Sequence, residues 1–152
     1  MLAPVASLVR RLAGGHRASA IIETALVVPL LLTIAFGIVG IGRVLQARLA
    51  VEAVAREAAT SAAAANNAAQ AQAHGLSRGR DVAAGYGLTN GSFRLTVDPG
   101  TFARGGQVMA SAQYRVDLAD LPLLQWTTVT LRSGHAEPID LYRSRWPASA
   151  AP

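Results

Sequence analysis

Residues 18–42 read ASAIIETALVVPLLLTIAFGIVGIG and lie between Arg17 and Arg43. One charge, Glu23, stands near the start, and from Thr24 to Gly42 no side chain is ionisable. At about 1.5 Å of rise per residue, a helix of this length crosses the roughly 30 Å hydrocarbon core of a bilayer. A soluble core helix would show a polar face at every third or fourth position, and none is present. The stretch reads as a transmembrane helix over residues 19–42.

The rest of the chain is organised around that helix. Its 152 residues leave room for one small exposed domain beside the span. Much of the 51% hydrophobic content is alanine, and only 5% of residues are aromatic, so the exposed part must have a thin core. There is no cysteine, so packing or assembly with neighbours has to replace disulfides. All fourteen basic residues are arginine, which together with the abundant Ala and Gly suggests a GC-rich bacterial genome. The net charge of +5 is spread along the chain, and no basic run interleaves with aromatics. That distribution suits membrane orientation and solubility, and it speaks against nucleic acid as a partner.

Residues 1–18 form a basic leader carrying Arg10, Arg11, His16 and Arg17 with no acidic residue. Arginines flanking a membrane helix stay cytoplasmic, whereas Arg43 and Arg48 beyond the span are soon balanced by Glu52 and Glu57. The expected topology is a single pass through the bacterial inner membrane, N-terminus inside and C-terminal region outside. A secretory signal would need a shorter apolar run and a nearby A-x-A-like site; Ala53-Val54-Ala55 lies too far beyond. A plain signal anchor leaves Glu23 unexplained, because a carboxylate within the membrane boundary costs several kcal/mol unless paired.

The sequence from His16 to Pro29, HRASAIIETALVVP, resembles the N-terminal signature of the TadE-like family. These are pilin-like (pseudopilin, minor pilin) proteins of the tight-adherence, or Flp, type IV pilus machinery. The family pattern is a basic leader, a small residue, four small or apolar residues, Glu, and an apolar run containing Pro. Here those roles fall on Arg17, Ala18, Ser19 to Ile22, Glu23 and Pro29. The resemblance implies that a prepilin peptidase cuts between Ala18 and Ser19, removing the leader and making Glu23 the fifth residue of the mature chain. A small residue at the scissile bond lets extended backbone enter a protease cleft. Glu23 would then neutralise a freed N-terminal amine on its own or a neighbouring subunit, which lowers the cost of burying either charge. Two positions depart from the family: Ala18 replaces the usual Gly, and Thr24 stands where an aromatic is common. Gly37, Gly40 and Gly42 make a smooth patch suited to close helix contact, though not a strict GxxxG, and Pro29 is tolerated where neighbours satisfy the freed carbonyl.

Residues 43–73 are about half alanine and hold no Pro or Gly, so the helix is expected to continue unbroken from the span to about residue 73, with Asn66-Asn67 its weakest point and Gly75 a C-cap. Arg48, Glu52 and Arg56 are four apart and share a face. Residues 74–91 read as a loop with a short helical turn near Arg80 to Ala84. From residue 92 to 142 the apolar period becomes two. Strands are expected at Ser92 to Val97, Gln107 to Leu118, Trp126 to Arg132 and His135 to Tyr142, with turns at Asp98-Pro99-Gly100 and Arg104-Gly105-Gly106. The apolar Leu121-Pro122-Leu123-Leu124 link is expected against the long helix or the membrane surface. Trp126 and Trp146 suit either an anchor at a membrane surface or packing on the sheet, and packing is the favoured reading for Trp126. Residues 143–152 read as a disordered tail. The fold class is therefore α+β: one long N-terminal helix packed by a small antiparallel sheet of three to four strands.

No catalytic constellation emerges. His16, His74 and His135 have no metal-site spacing, and Ser133-Gly134-His135 with Asp140 lacks a strand–turn–helix setting. The expected protein is not an enzyme and needs no cofactor, metal or small-molecule substrate. Its expected partners are other pilin-like subunits, inner-membrane pilus assembly proteins, a prepilin peptidase and membrane lipid. The alternative is an uncleaved single-span scaffold of another secretion complex.

Overall fold

A computed structural model describes residues 3–89, 91–122 and 124–140, with side chains described from residue 21 onward. Helix α1 spans Ala3–Ala63 and α2 spans Ala68–Gly85; strands β1 (Arg94–Asp98), β2 (Gln107–Asp117) and β3 (Thr128–Pro138) follow. The α+β class and the antiparallel sheet agree with the sequence reading. The residues 143–152 expected as a disordered tail lie outside the described residues.

The first helix does not run to residue 73, and residues 74–85 of the expected 74–91 loop belong to a second helix. Helix α1 stops at Ala63, the chain reverses through residues 64–67, and α2 returns along α1. Asn67 makes the reversal, with extended backbone (φ −150°, ψ 167°) and its side-chain oxygen accepting the Gln70 N–H at 2.9 Å. Gln70 reaches back to the Asn66 N–H at 3.4 Å, in the manner of a capping box. Asparagine offers backbone groups an alternative to the helical ladder, so two in succession end one helix and start the next without Gly or Pro.

Gly75 is not a C-cap but the middle of α2. The buried residues of α2 are Ala71, Gly75, Gly79 and Ala83, a small residue at every fourth position. They meet a matching small-residue stripe on α1, where Ala50, Val51, Val54, Ala55, Ala58, Ala59 and Ala62 are all buried. Two glycines inside a helix cost about 1 kcal/mol each relative to alanine, and close backbone contact offsets that. An ion pair at the edge of the contact joins Arg78 to Glu57 at 2.9 Å; both side chains are about half exposed, so its contribution is small. Helix α2 closes with Gly87 at φ +72° and with Leu88 N–H donating to the Ala83 carbonyl at 2.8 Å, a Schellman arrangement that buries Leu88.

The sheet has order β1-β2-β3, fully antiparallel, with Val97 opposite Ala110, Tyr114 opposite Leu131 and Val116 opposite Val129. Strand β2 shows the alternation read from its sequence: Val108, Ala110, Ala112 and Val116 are buried against the helices. The separate third and fourth strands expected at 126–132 and 135–142 are one strand, Thr128–Pro138. Ser133-Gly134 pairs with Ala112-Ser111 within the ladder, and Pro138 falls at the strand's last residue, where a missing N–H does little damage. Asp98 accepts the Gly100 N–H at 2.9 Å in the expected turn, and the buried Phe102 that follows sits at φ +45°.

The core is thin. Its largest fully buried side chains are Val51, Val54 and Val108. It runs as three clusters along α1, from Phe102 and Ile139 at the far end, through Val51, Val54 and Leu88, to Ala47, Val116, Leu118 and Leu121. Partly buried Phe36, Val44 and Leu124 pack on the last of these, so the core extends down α1 into the apolar stretch.

Candidate functional site

From Ile21 onward α1 is long and apolar enough to cross a membrane, and 6% of its most apolar window is buried within the fold. That figure separates it from a soluble core helix, which would be mostly covered by its own protein. Ile21, Leu26, Ile38 and Ile41 are each at least 66% exposed, a surface that water would disfavour and lipid or another helix would accept. Pro29 lies inside the helix without ending it. One turn on, the Thr33 hydroxyl donates to the Pro29 carbonyl at 2.8 Å, so the only hydroxyl between Pro29 and Gly42 is satisfied within its own helix.

Glu23 is exposed on α1. Residues 18 and 19 continue α1 as helical backbone; the side chains of Ala18 and Ser19, and the leader's, lie outside the described residues. The three glycines grouped as a packing patch separate. A Cβ on Gly40 would stand 2.9 Å from Leu124 Cδ1 and 3.6 Å from Leu121 Cδ1, so Gly40 is used by the chain's own fold. Gly37 and Gly42 face open space, free for contact with another molecule.

Just beyond the span, Arg43 pairs with Asp120 at 2.5 Å and ties the loop after β2 to α1. The Arg43 guanidinium, by its hydrogen bond first and its charge second, holds the Asp120 carboxyl below its ordinary value. A lowered carboxyl pKa stabilises the folded state above the ordinary carboxylate range, and that contribution is lost as pH falls through the shifted value. The 118–127 loop should therefore be nicked faster by an acid-tolerant protease as pH drops below that range. Asp120→Asn should be nicked equally at all pH values. The same acid profile in both proteins would remove Asp120 as the cause.

Among the described residues no three of His, Cys, Asp and Glu cluster to hold a metal ion. His135 and Glu137 are neighbours on β3, 3.2 Å apart, and Ser133 lies on that strand rather than at a strand-to-helix turn. The membrane-proximal loop was only half legible in the sequence. The Leu121–Leu124 run signalled an apolar contact, and Leu121 and Leu124 do pack on α1. Trp126 does not pack on the sheet: it is 90% exposed.

The apolar helix with one charge near its start is also where similarity to known proteins falls. Residues 18–60 match the family model of TadE-like proteins. No curated protein and no solved structure matches the chain. The TadE-like match begins at Ala18 and ends three residues before α1 does, so it covers the span and its extension but neither α2 nor the sheet. The stretch read as a family signature, from Arg17 to Pro29, lies within the match from Ala18 onward. The strand region lies beyond the match.

Proposed function

We propose that this protein is a pilin-like, membrane-anchored component of a tight-adherence pilus or related secretion apparatus, acting through its α1 helix and not as an enzyme. The coincidence of the TadE-like match with an apolar, uncovered helix is the observation that carries this reading. The basic leader sets its N-terminus in the cytoplasm, and the hairpin and sheet stand outside the inner membrane. A prepilin peptidase cuts between Ala18 and Ser19. Glu23 then lies near a freed amine on its own or an adjacent subunit, and the pair can enter an assembly of packed helices where a lone carboxylate could not. Gly37 and Gly42, where an added Cβ would meet nothing within 4 Å, offer such helices a close approach.

Mass measurement of the membrane-extracted protein tests the processing step: a chain beginning at Ser19 supports it. An intact leader would favour the uncleaved scaffold, a reading to which Ala18 in place of the family's usual glycine lends some weight. Glu23→Leu should still insert in the membrane and resist carbonate extraction, because it removes a charge from the span. Surface fibres, counted by microscopy, should nevertheless be lost. Normal fibres in that variant would end the charge-pairing role.

A further inference from the structure

Gly40 lies 21 residues after Ser19, the start of the 19–42 span, which at about 1.5 Å per residue places it about 32 Å along the helix, at the far edge of a hydrocarbon core of roughly 30 Å. Leu121 and Leu124 rest on Gly40, and Phe36 and Val44 join the same cluster. The described residues of the 118–127 loop, which leave out residue 123, are thus held at the depth where acyl chains meet headgroups. They are held firmly: Leu118 N–H donates to the Thr127 carbonyl, and Leu121, Leu124 and Thr127 N–H each close a turn onto Leu118, Leu121 and Leu124. Trp126, at 90% exposure, projects from this closed loop with its large apolar ring uncovered.

We propose that the 118–127 loop is a second membrane anchor, an interfacial one, whose occupant is lipid and whose Trp126 sits at the headgroup boundary of the leaflet where the span ends. Three observations favour lipid over a protein partner. The loop's apolar surface is continuous with the span: Ile41 and Leu45, both exposed, line an open groove of about 410 Å³ with Gly37, Gly40, Leu118 and Leu124. The charges change level as a membrane boundary requires, with Arg43 and Asp120 paired just past Gly40 and Arg48 at the outer end of the groove, where phosphates would lie. Trp126, the one tryptophan among the described residues, is exposed beside the span, which matches the amphipathic ring's preference for that boundary. The consequence is mechanical: with the sheet packed along α1, a second anchor at its β2–β3 end fixes the tilt of the whole unit relative to the membrane surface.

The inference rests on α1 spanning the membrane, and the test separates the two. The full chain carrying Trp146→Phe is placed in phosphatidylcholine–phosphatidylglycerol vesicles, leaving Trp126 as the only tryptophan. Its emission should be blue-shifted and should fall by roughly half or more when the lipids are brominated near the headgroup, and less when they are brominated deep in the chain. A second protein, Val28→Trp with both native tryptophans changed to Phe, reports the span by quenching from deep bromines. Quenching of residue 28 but not of Trp126 overturns the loop anchor and leaves the span standing. Quenching of neither overturns both. A blue-shifted Trp126 that lipid bromines do not touch means a protein covers it, and also overturns the proposal.

Discussion

Val54→Asp should unfold the hairpin and sheet while leaving the apolar span in the membrane. Val54 is fully buried and sits in the middle cluster with Ala50, Val51, Ala55, Ala83, Leu88 and Ala112. A carboxylate there would have no cation among those neighbours, and an unpaired buried charge costs several kcal/mol even after the site relaxes or the group protonates. A small domain has about 5–15 kcal/mol of stability in all, and this one draws its stability from alanine and valine contacts with no disulfide in reserve. Proteolysis of the detergent-solubilised protein is the direct measurement: residues beyond about 45 should be digested while the span survives. Val54→Ala, which removes two methyl groups and adds no charge, should cost about 1–3 kcal/mol and leave the unit folded. A protease-resistant Val54→Asp protein would mean that the hairpin–sheet contact is not what holds this unit together.

Gly75→Leu should be the next most damaging change, because it strikes the same contact from the other helix. A Cβ at residue 75 would meet the Ala58 carbonyl oxygen at 2.9 Å, Ala62 Cβ at 3.0 Å and Val97 Cγ1 at 3.1 Å. The first of these is backbone, so α2 must lift off α1 to admit any side chain. Replacing glycine in a helix gains about 1 kcal/mol of intrinsic propensity. Overpacking by a leucine costs more than that, about 3 kcal/mol, and should appear as a lowered urea midpoint and faster amide exchange throughout α2. Gly79→Ala provides the contrast. Its Cβ would come within 2.4 Å of Leu95 Cδ2, the end of a side chain that can rotate away, with Ala58 Cβ next at 3.1 Å. It should cost less than Gly75→Ala. Equal stability of Gly75→Leu and the parent protein would show that the helices do not meet through this stripe.

The same stripe explains what a reading of the chain misses. Residues 43–73 carry every local mark of continuous helix, and the Asn66-Asn67 pair reads as a weak point within it. Whether an alanine-rich helix ends there or continues depends on whether the following segment has a surface to return to. That surface is made by Ala71, Gly75, Gly79 and Ala83, whose value lies in what they allow to come near. Gly75 and Gly79 in the interior of α2 lower its intrinsic helix propensity, so the segment looks like loop until the close approach of α1 is supplied. Strand β3 is the parallel case. Ser133-Gly134 and Pro138 suggest two short strands, and pairing along the whole of β2 makes them one.

The candidate site divides along the same line. Glu23, Pro29 and the apolar run were legible because a membrane segment is recognised by composition and length, with no need for tertiary partners. The glycine patch was legible only as a group. Tertiary contacts split it, assigning Gly40 to Leu121 and Leu124 of the same chain and leaving Gly37 and Gly42 open. The Arg43–Asp120 pair, 77 positions apart in the chain, carries no sequence signal at all.

By itself, the sequence determined the span, its single charge, the family likeness, the α+β class and the alternation of β2. Each follows from local composition or a short period, which every residue reports independently of distant ones. Only the tertiary structure decided that the helix turns back at residue 64, that glycines 75 and 79 are contact points, and that Trp126 faces outward beside the end of the span. Those outcomes depend on which distant surfaces meet, and small residues identify such surfaces only by how closely their backbones can approach.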